Sequence, residues 1–104
     1  MAVTRIIALF NLKPGKDVAD YEAWAKTRDL PTVNALASID RFEVFRSAAL
    51  LGSPDAPPYQ YIEIIDVADM DAFGADVASA TMQAIAAEFQ AVADPVFIVT
   101  EKVG

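Results

Sequence analysis

The stretch Tyr59 to Val67 (YQYIEIIDV) sets a carboxylate among phenols. Side chains alternate along an extended chain, so Tyr59, Tyr61, Glu63 and Ile65 share one face, and Gln60, Ile62 and Ile64 the other. A carboxylate beside phenols in an apolar cleft has a raised pKa and can exchange protons with a phenolic or pyrrolic substrate. Glu63 and Tyr61 are therefore the candidate catalytic residues. The same spacing equally suits a Glu hydrogen-bonded to Tyr, or paired with Arg41 or Arg46 across a hairpin. A second group, Tyr21, Trp24 and Arg28, recurs at helical spacing and offers an aromatic wall with one cation, suited to a flat aromatic ligand. With Tyr59 these are the candidate substrate-binding residues. Ordinary core packing explains Trp24 as well, and Arg28 would sit at a helix C-terminus, where the helix dipole favours a cation.

The chain contains neither His nor Cys. That removes the usual ligands for haem, zinc and copper, the thiolate nucleophile and the commonest general base. Proton transfer is left to Asp, Glu, Tyr, Lys, the amino terminus or water. No acidic run has the spacing of a calcium loop, and no Gly-rich dinucleotide fingerprint is present. The expectation is a protein without haem, flavin, zinc or any other tightly bound cofactor or metal. The formal net charge is −7 and the eight Lys and Arg are scattered. Such a surface repels phosphate backbones and anionic headgroups, which excludes nucleic acid as a partner. No apolar stretch approaches the roughly 20 residues that span a bilayer. Met1 to Phe10 is too short for a signal segment with its cleavage site, so the expected location is cytoplasmic, with no membrane partner.

The elements that must position these residues follow from the pattern. Thr4 to Asn11 is a buried strand, Lys13-Pro14-Gly15-Lys16 a turn, and Asp17 the cap of a helix from Val18 to Arg28. Pro31 ends that helix or begins a short turn through Asn34 to Leu36. Ile39 to Leu51 is the second strand, with Phe42 and Val44 on one face and Arg41, Glu43 and Phe45 on the other. A Pro-rich loop leads to the third strand, Tyr59 to Val67. Asp69 caps a helical region reaching about Ala93, with a break at Gly74 or at Ser79-Ala80-Thr81, and a core stripe of Met82, Ile85, Phe89 and Val92. Val96 to Lys102 is the last strand. The result is a βαββαβ, ferredoxin-like α+β chain of one domain, 1–104, with a four-stranded antiparallel sheet and its helices on one face. All four strands carry apolar residues on both faces, and the mean hydropathy is +0.32. The uncovered face needs a partner, and a second copy closing a two-subunit barrel is the economical one.

Several segments resemble the dimeric α+β barrel superfamily, and within it the RedY-like/HapK group associated with prodiginine pigment gene clusters. They are RIIALFNLKPGKD leading into YEAW, TRDLPTVNAL, IDRFEVFRS and PPYQYIEIIDVADMDAF. The resemblance implies a homodimer whose ligand sits between sheet and helices, lined by Tyr61, Glu63, Tyr21 and Trp24. The superfamily includes cofactor-free monooxygenases, isomerases, haem-degrading enzymes and stress-responsive barrels without assigned chemistry. The absence of His sets this chain apart from the haem-degrading members. Two readings stay open: a protein of secondary metabolism that binds or processes an aromatic, pyrrolic or polyketide-like compound, and a non-catalytic barrel that holds an apolar ligand or joins an assembly.

Overall fold

The computed structural model describes residues 3–104; the amino-terminal group lies outside them. Strand β1 is Thr4–Phe10, and helix α1, Val18–Trp24, runs through a π-helical segment, Ala25–Asp29, into α2, Leu30–Asn34. Then come β2 (Ile39–Arg46), β3 (Tyr61–Val67), α3 (Met70–Val77), α4 (Ala80–Gln90) and β4 (Val96–Val99). The strands form one antiparallel sheet in the order β2-β3-β1-β4, the expected ferredoxin-like arrangement.

Local chemistry accounts for the helix starts. The Asp17 carboxylate accepts from the N–H groups of Ala19 and Asp20 at 2.7 and 3.2 Å. Asp69 does the same for Asp71 and Ala72 at 3.0 and 3.1 Å. Both satisfy donors that a helix N-terminus leaves unpaired. The expected break in the last helical region falls at Ser79, whose hydroxyl accepts from Met82 N–H at 3.2 Å, while Gly74 sits within α3.

Several boundaries differ from the sequence expectation. Pro31 does not end the first helix but stands at the start of the short further turn that was the other expectation, α2, and the Leu30 N–H reaches back to the carbonyl of Ala25, a five-residue step. A regular helix would drive the proline ring against the carbonyl four residues earlier, and a wider turn just ahead of it is the accommodation. β2 stops at Arg46 rather than Leu51, after which Ser47 makes one last bond to the Gln60 carbonyl. Tyr59 and Gln60 precede β3, held by side chains instead of a ladder: Asn11 donates to the Pro58 carbonyl and accepts from Gln60 N–H. β4 ends at Val99, after which the Thr100 N–H and hydroxyl both donate to the Arg5 carbonyl, at 3.0 and 2.7 Å.

The helix-facing side of the sheet carries Ile6, Ala8, Phe10, Phe42, Tyr61, Ile65 and Val67, all buried. Phe10 is the hub: its ring stacks on Tyr61 at 5.3 Å and meets Phe89 and Tyr21 edge-on at 4.9 and 5.6 Å. The opposite face presents Ile7, Leu9, Ile62 and Ile64, half-buried, with Phe45, Val96 and Ile98 exposed. At one end of that face Arg5 makes a two-pronged contact with Asp66 at 2.8 and 3.0 Å. Replacing the hub, Phe10→Ala, should cost about 3–5 kcal/mol, measured as a lower denaturation midpoint at unchanged slope in urea.

Candidate functional site

Glu63 lies mid-way along β3, opposite Ala8 of β1 and Val44 of β2. Strand parity turns it toward the helices, and the small Ala8 leaves space beside it. Glu63 is 2% exposed, and its Oε2 has no hydrogen-bond partner among the described residues. The cross-hairpin ion pair that the sequence also allowed does not form. Arg46 instead grips Glu22 at 2.8 and 3.1 Å, and Arg41 lies 3.8 Å from Glu43 on the other face. Glu63 borders a cavity of about 260 Å³ between sheet and helices, whose walls include Val33, Phe42, Ile85 and Phe89.

The second polar wall of this cavity is Asp29, a residue the sequence reading did not single out. It is the last residue of the π-helical segment and is 4% exposed. Two regular helical turns consume about 7.2 residues, so residues eight apart fall out of line. The wide turn takes up the excess and lets both Tyr21 and Asp29 face the interior, where both are buried. The available signal was an acid at the point where Leu30-Pro31 should have broken the helix, since π turns concentrate at functional sites.

The other candidates lie elsewhere. Tyr61 is buried, but its hydroxyl donates to Glu22 at 2.8 Å, away from the cavity. Burial and that contact push its phenol up to about 12. Tyr59 lies outside the strand and borders a small hollow with Arg46 and Pro57. Tyr21 and Trp24 line a separate cleft of about 520 Å³ between α1 and the end of α4. The Trp24 ring stacks on Phe89 at 6.1 Å and its N–H donates to Glu88 at 2.8 Å. Arg28 is not a free cation: its guanidinium grips both oxygens of Glu88, the second at 2.6 Å. That grip, with the Trp24 bond, holds the Glu88 carboxyl down at about 2. Of the six candidates, Glu63 alone lines the cavity between sheet and helices.

The electrostatics single out the carboxyl pair. Burial, and then the charge of Asp29, push Glu63 up to about 8. Burial, and then Glu88, push Asp29 up to about 7. Removing water disfavours the charged form, and two nearby carboxylates resist ionising together. Around neutral pH the cavity therefore holds a carboxylic acid beside a group near its midpoint, the composition of an acid–base site. Among the described residues no three Asp, Glu, His or Cys side chains gather as a metal site requires.

The family model for the REDY-like protein HapK matches residues 4–103. The chain belongs to the HapK family. Among solved structures, HapK from Hahella chejuensis is 28% identical, with 97% of this chain and 93% of that one covered and a TM-score of 0.79. SnoaB from Streptomyces nogalater, a cofactor-independent oxygenase, shares 14% identity over 100% and 96% of the two chains, with a TM-score of 0.77. A dimeric ferredoxin-like protein of unknown function from Thermobifida fusca shares 19% over 94% and 89%, with a TM-score of 0.74. The last two likenesses show the fold shared by this HapK-family chain and no more. Among curated proteins nothing matches it.

The buried pair gives this HapK-family member a pH signature. Both carboxyls bind protons more tightly in the folded chain than in the unfolded one, where ordinary values are near 4. The stability they contribute is complete below that value and is lost as pH rises through about 7 and about 8. Glu22, Asp66 and Glu88, held down by Arg partners, act with the opposite sign at acid pH, weakly because they are solvent-screened. The melting temperature should fall by roughly 5 °C or more between pH 5.5 and pH 8.5. In the double variant Asp29→Asn, Glu63→Gln that slope should flatten; an unchanged slope in calorimetry would mean other groups carry it.

Proposed function

We propose that this HapK-family chain acts as a homodimer of the secondary-metabolism type. Each subunit takes a flat aromatic or polyketide-like small molecule into the cavity between sheet and helices and moves a proton on it, with no resident cofactor. The observation that carries this reading is the buried carboxyl pair, Asp29 and Glu63, set into a mainly apolar wall that also includes Gln83 and Gln90. A pocket that only stored an apolar compound would gain nothing from two desolvated carboxyls, each costly to bury without a partner. The likeness to a cofactor-independent oxygenase of the same fold supports chemistry without a bound metal or flavin.

The dimer is supported by the uncovered sheet face. Ile7, Leu9, Ile62 and Ile64 run down its centre, with Phe45, Val96 and Ile98 exposed beside them. A second copy, laid sheet to sheet as the barrel resemblance implies, would bury them, and the relative from Thermobifida fusca is dimeric. Light scattering should give twice the 11.2 kDa chain mass. Ile64→Glu should shift the protein to a monomer; a wild-type monomer throughout the micromolar range would remove this part of the reading.

Anthrone, a flat tricyclic carbon acid, tests the chemistry. The protein should speed deuterium exchange at its methylene, followed by NMR, and Asp29→Asn, Glu63→Gln should lower that rate by roughly 100-fold or more while leaving anthrone affinity within a few-fold. Binding with no acceleration of exchange would make the chain a ligand-holding barrel instead.

A further inference from the structure

The cavity between sheet and helices has an open lip and a buried end, and its charge lies at the buried end. Gln83, Ala86 and Gln90 follow one another at helical spacing along α4, are exposed, and form part of the wall. Facing them is Phe97 of the edge strand β4, exposed although its register with Ala8 puts it on the helix side. Asp29 and Glu63 line the same cavity and are 4% and 2% exposed. Among the described residues that line it, none is Lys or Arg. Arg28, next to Asp29 in sequence, keeps its guanidinium on Glu88.

An ion carried into an apolar cavity loses its water and must meet an opposite charge there. An anionic ligand would meet two acids and no cation, so carboxylates and phosphates are rejected. A positive charge does the reverse. It favours the ionised form of both acids, against the burial and the acidic neighbours that hold their protons on. The aromatic walls, Phe42, Phe89 and Phe97, suit a flat delocalised cation better than a compact, strongly hydrated one. The net charge of −7 draws ligands of the same sign toward the chain.

We propose that the cavity selects a flat aromatic compound bearing a positively charged nitrogen, its rings lying between α4 and β4 and its nitrogen turned inward to Asp29. This deepens the proposed function, rests on the same cavity, and names the charge of the molecule that occupies it. Glu63, whose Oε2 is closed off, acts through its charge, and the direct contact falls to Asp29. A ligand that arrives as the neutral base takes the Asp29 carboxyl proton onto its nitrogen lone pair, leaving a carboxylate beside an N–H cation. A ligand that arrives charged makes the same pair, and the carboxyl proton passes to water.

N-methylquinolinium, a permanent cation, and 1-methylnaphthalene, its uncharged carbon isostere, separate charge from shape in NMR titrations of the whole chain. At pH 8 the wild-type protein should bind the cation roughly tenfold or more tightly than the isostere. At pH 5.5, below the values of about 7 and about 8 at which Asp29 and Glu63 titrate, most of that preference should vanish. Neither probe titrates in this range. Glu88, the other acid acting on Asp29, is held at about 2 and stays ionised, and the Tyr21 and Tyr61 phenols, both raised, stay protonated. Asp29→Asn, Glu63→Gln should bind the two probes alike at pH 8. If that double variant fails to fold, Asp29→Asn alone, which should lose most of the preference, and the wild-type pH comparison still decide the point. Equal binding by the wild-type protein at pH 8 overturns the cationic class and leaves the pocket standing. A preference that persists at pH 5.5 and in the variants belongs to the acidic surface and overturns it too. Binding of neither probe removes the cavity as a ligand site, and the proposed function with it.

Discussion

Putting a carboxyl on the inward face of a sheet forces a choice on everything around it. The group must be paired, or remain protonated, or the surrounding layer must open. On β3 the neighbours of Glu63 along the face are Tyr61 and Ile65, and across the ladder Ala8 and Val44. None of these carries a compensating charge. The cations that would pair with Glu63 are drawn elsewhere, Arg46 to Glu22, Arg28 to Glu88 and Arg5 to Asp66. These three outer ion pairs have little energetic weight of their own. Their effect is to leave the interior acidic, so that Glu63 and Asp29 meet as acids and not as halves of salt bridges.

The aromatic hub fixes the geometry of this interior. Phe10, Tyr21, Tyr61 and Phe89 interlock through stacked and edge-on contacts, and the cavity opens on the Phe89 side of that cluster. HapK-family membership supplies the frame for this arrangement, and the frame alone specifies no reaction.

The sequence was most legible where one physical rule acted alone. Alternation on β3 put Glu63 on one face with Tyr61, the family resemblance turned that face to the helices, and Asp17 and Asp69 marked helix starts because nothing competes with a side-chain cap at those points. It was least legible where two rules met. β2 ends earlier than expected because pairing, not propensity, terminates a strand, and at Arg46 its register reaches Tyr61, the first residue of β3. Trp24 and Arg28 have the spacing of a ligand wall, but Glu88, sixty residues on, takes both, and no local pattern announces so distant a partner. Asp29 was hidden for a related reason: proline signals a helix end, and the wide turn that overrides the signal exists only in three dimensions.

That wide turn makes the site sensitive to chain length more than to side-chain identity. Ala25, Lys26 and Thr27 are not part of the cavity wall, yet their number sets the angle at which Tyr21 and Asp29 emerge from one continuous helix. Each residue of a regular helix turns the chain by about 100°. Losing one residue between them would swing one of the pair out of the interior, while exchanging Lys26 or Thr27, both exposed, leaves the phase intact. Relatives that carry the same acids but one residue fewer in this segment would share the composition of the site and lack its alignment. In comparing such chains, the count of residues between the tyrosine and the aspartate is a better guide to shared chemistry than percentage identity.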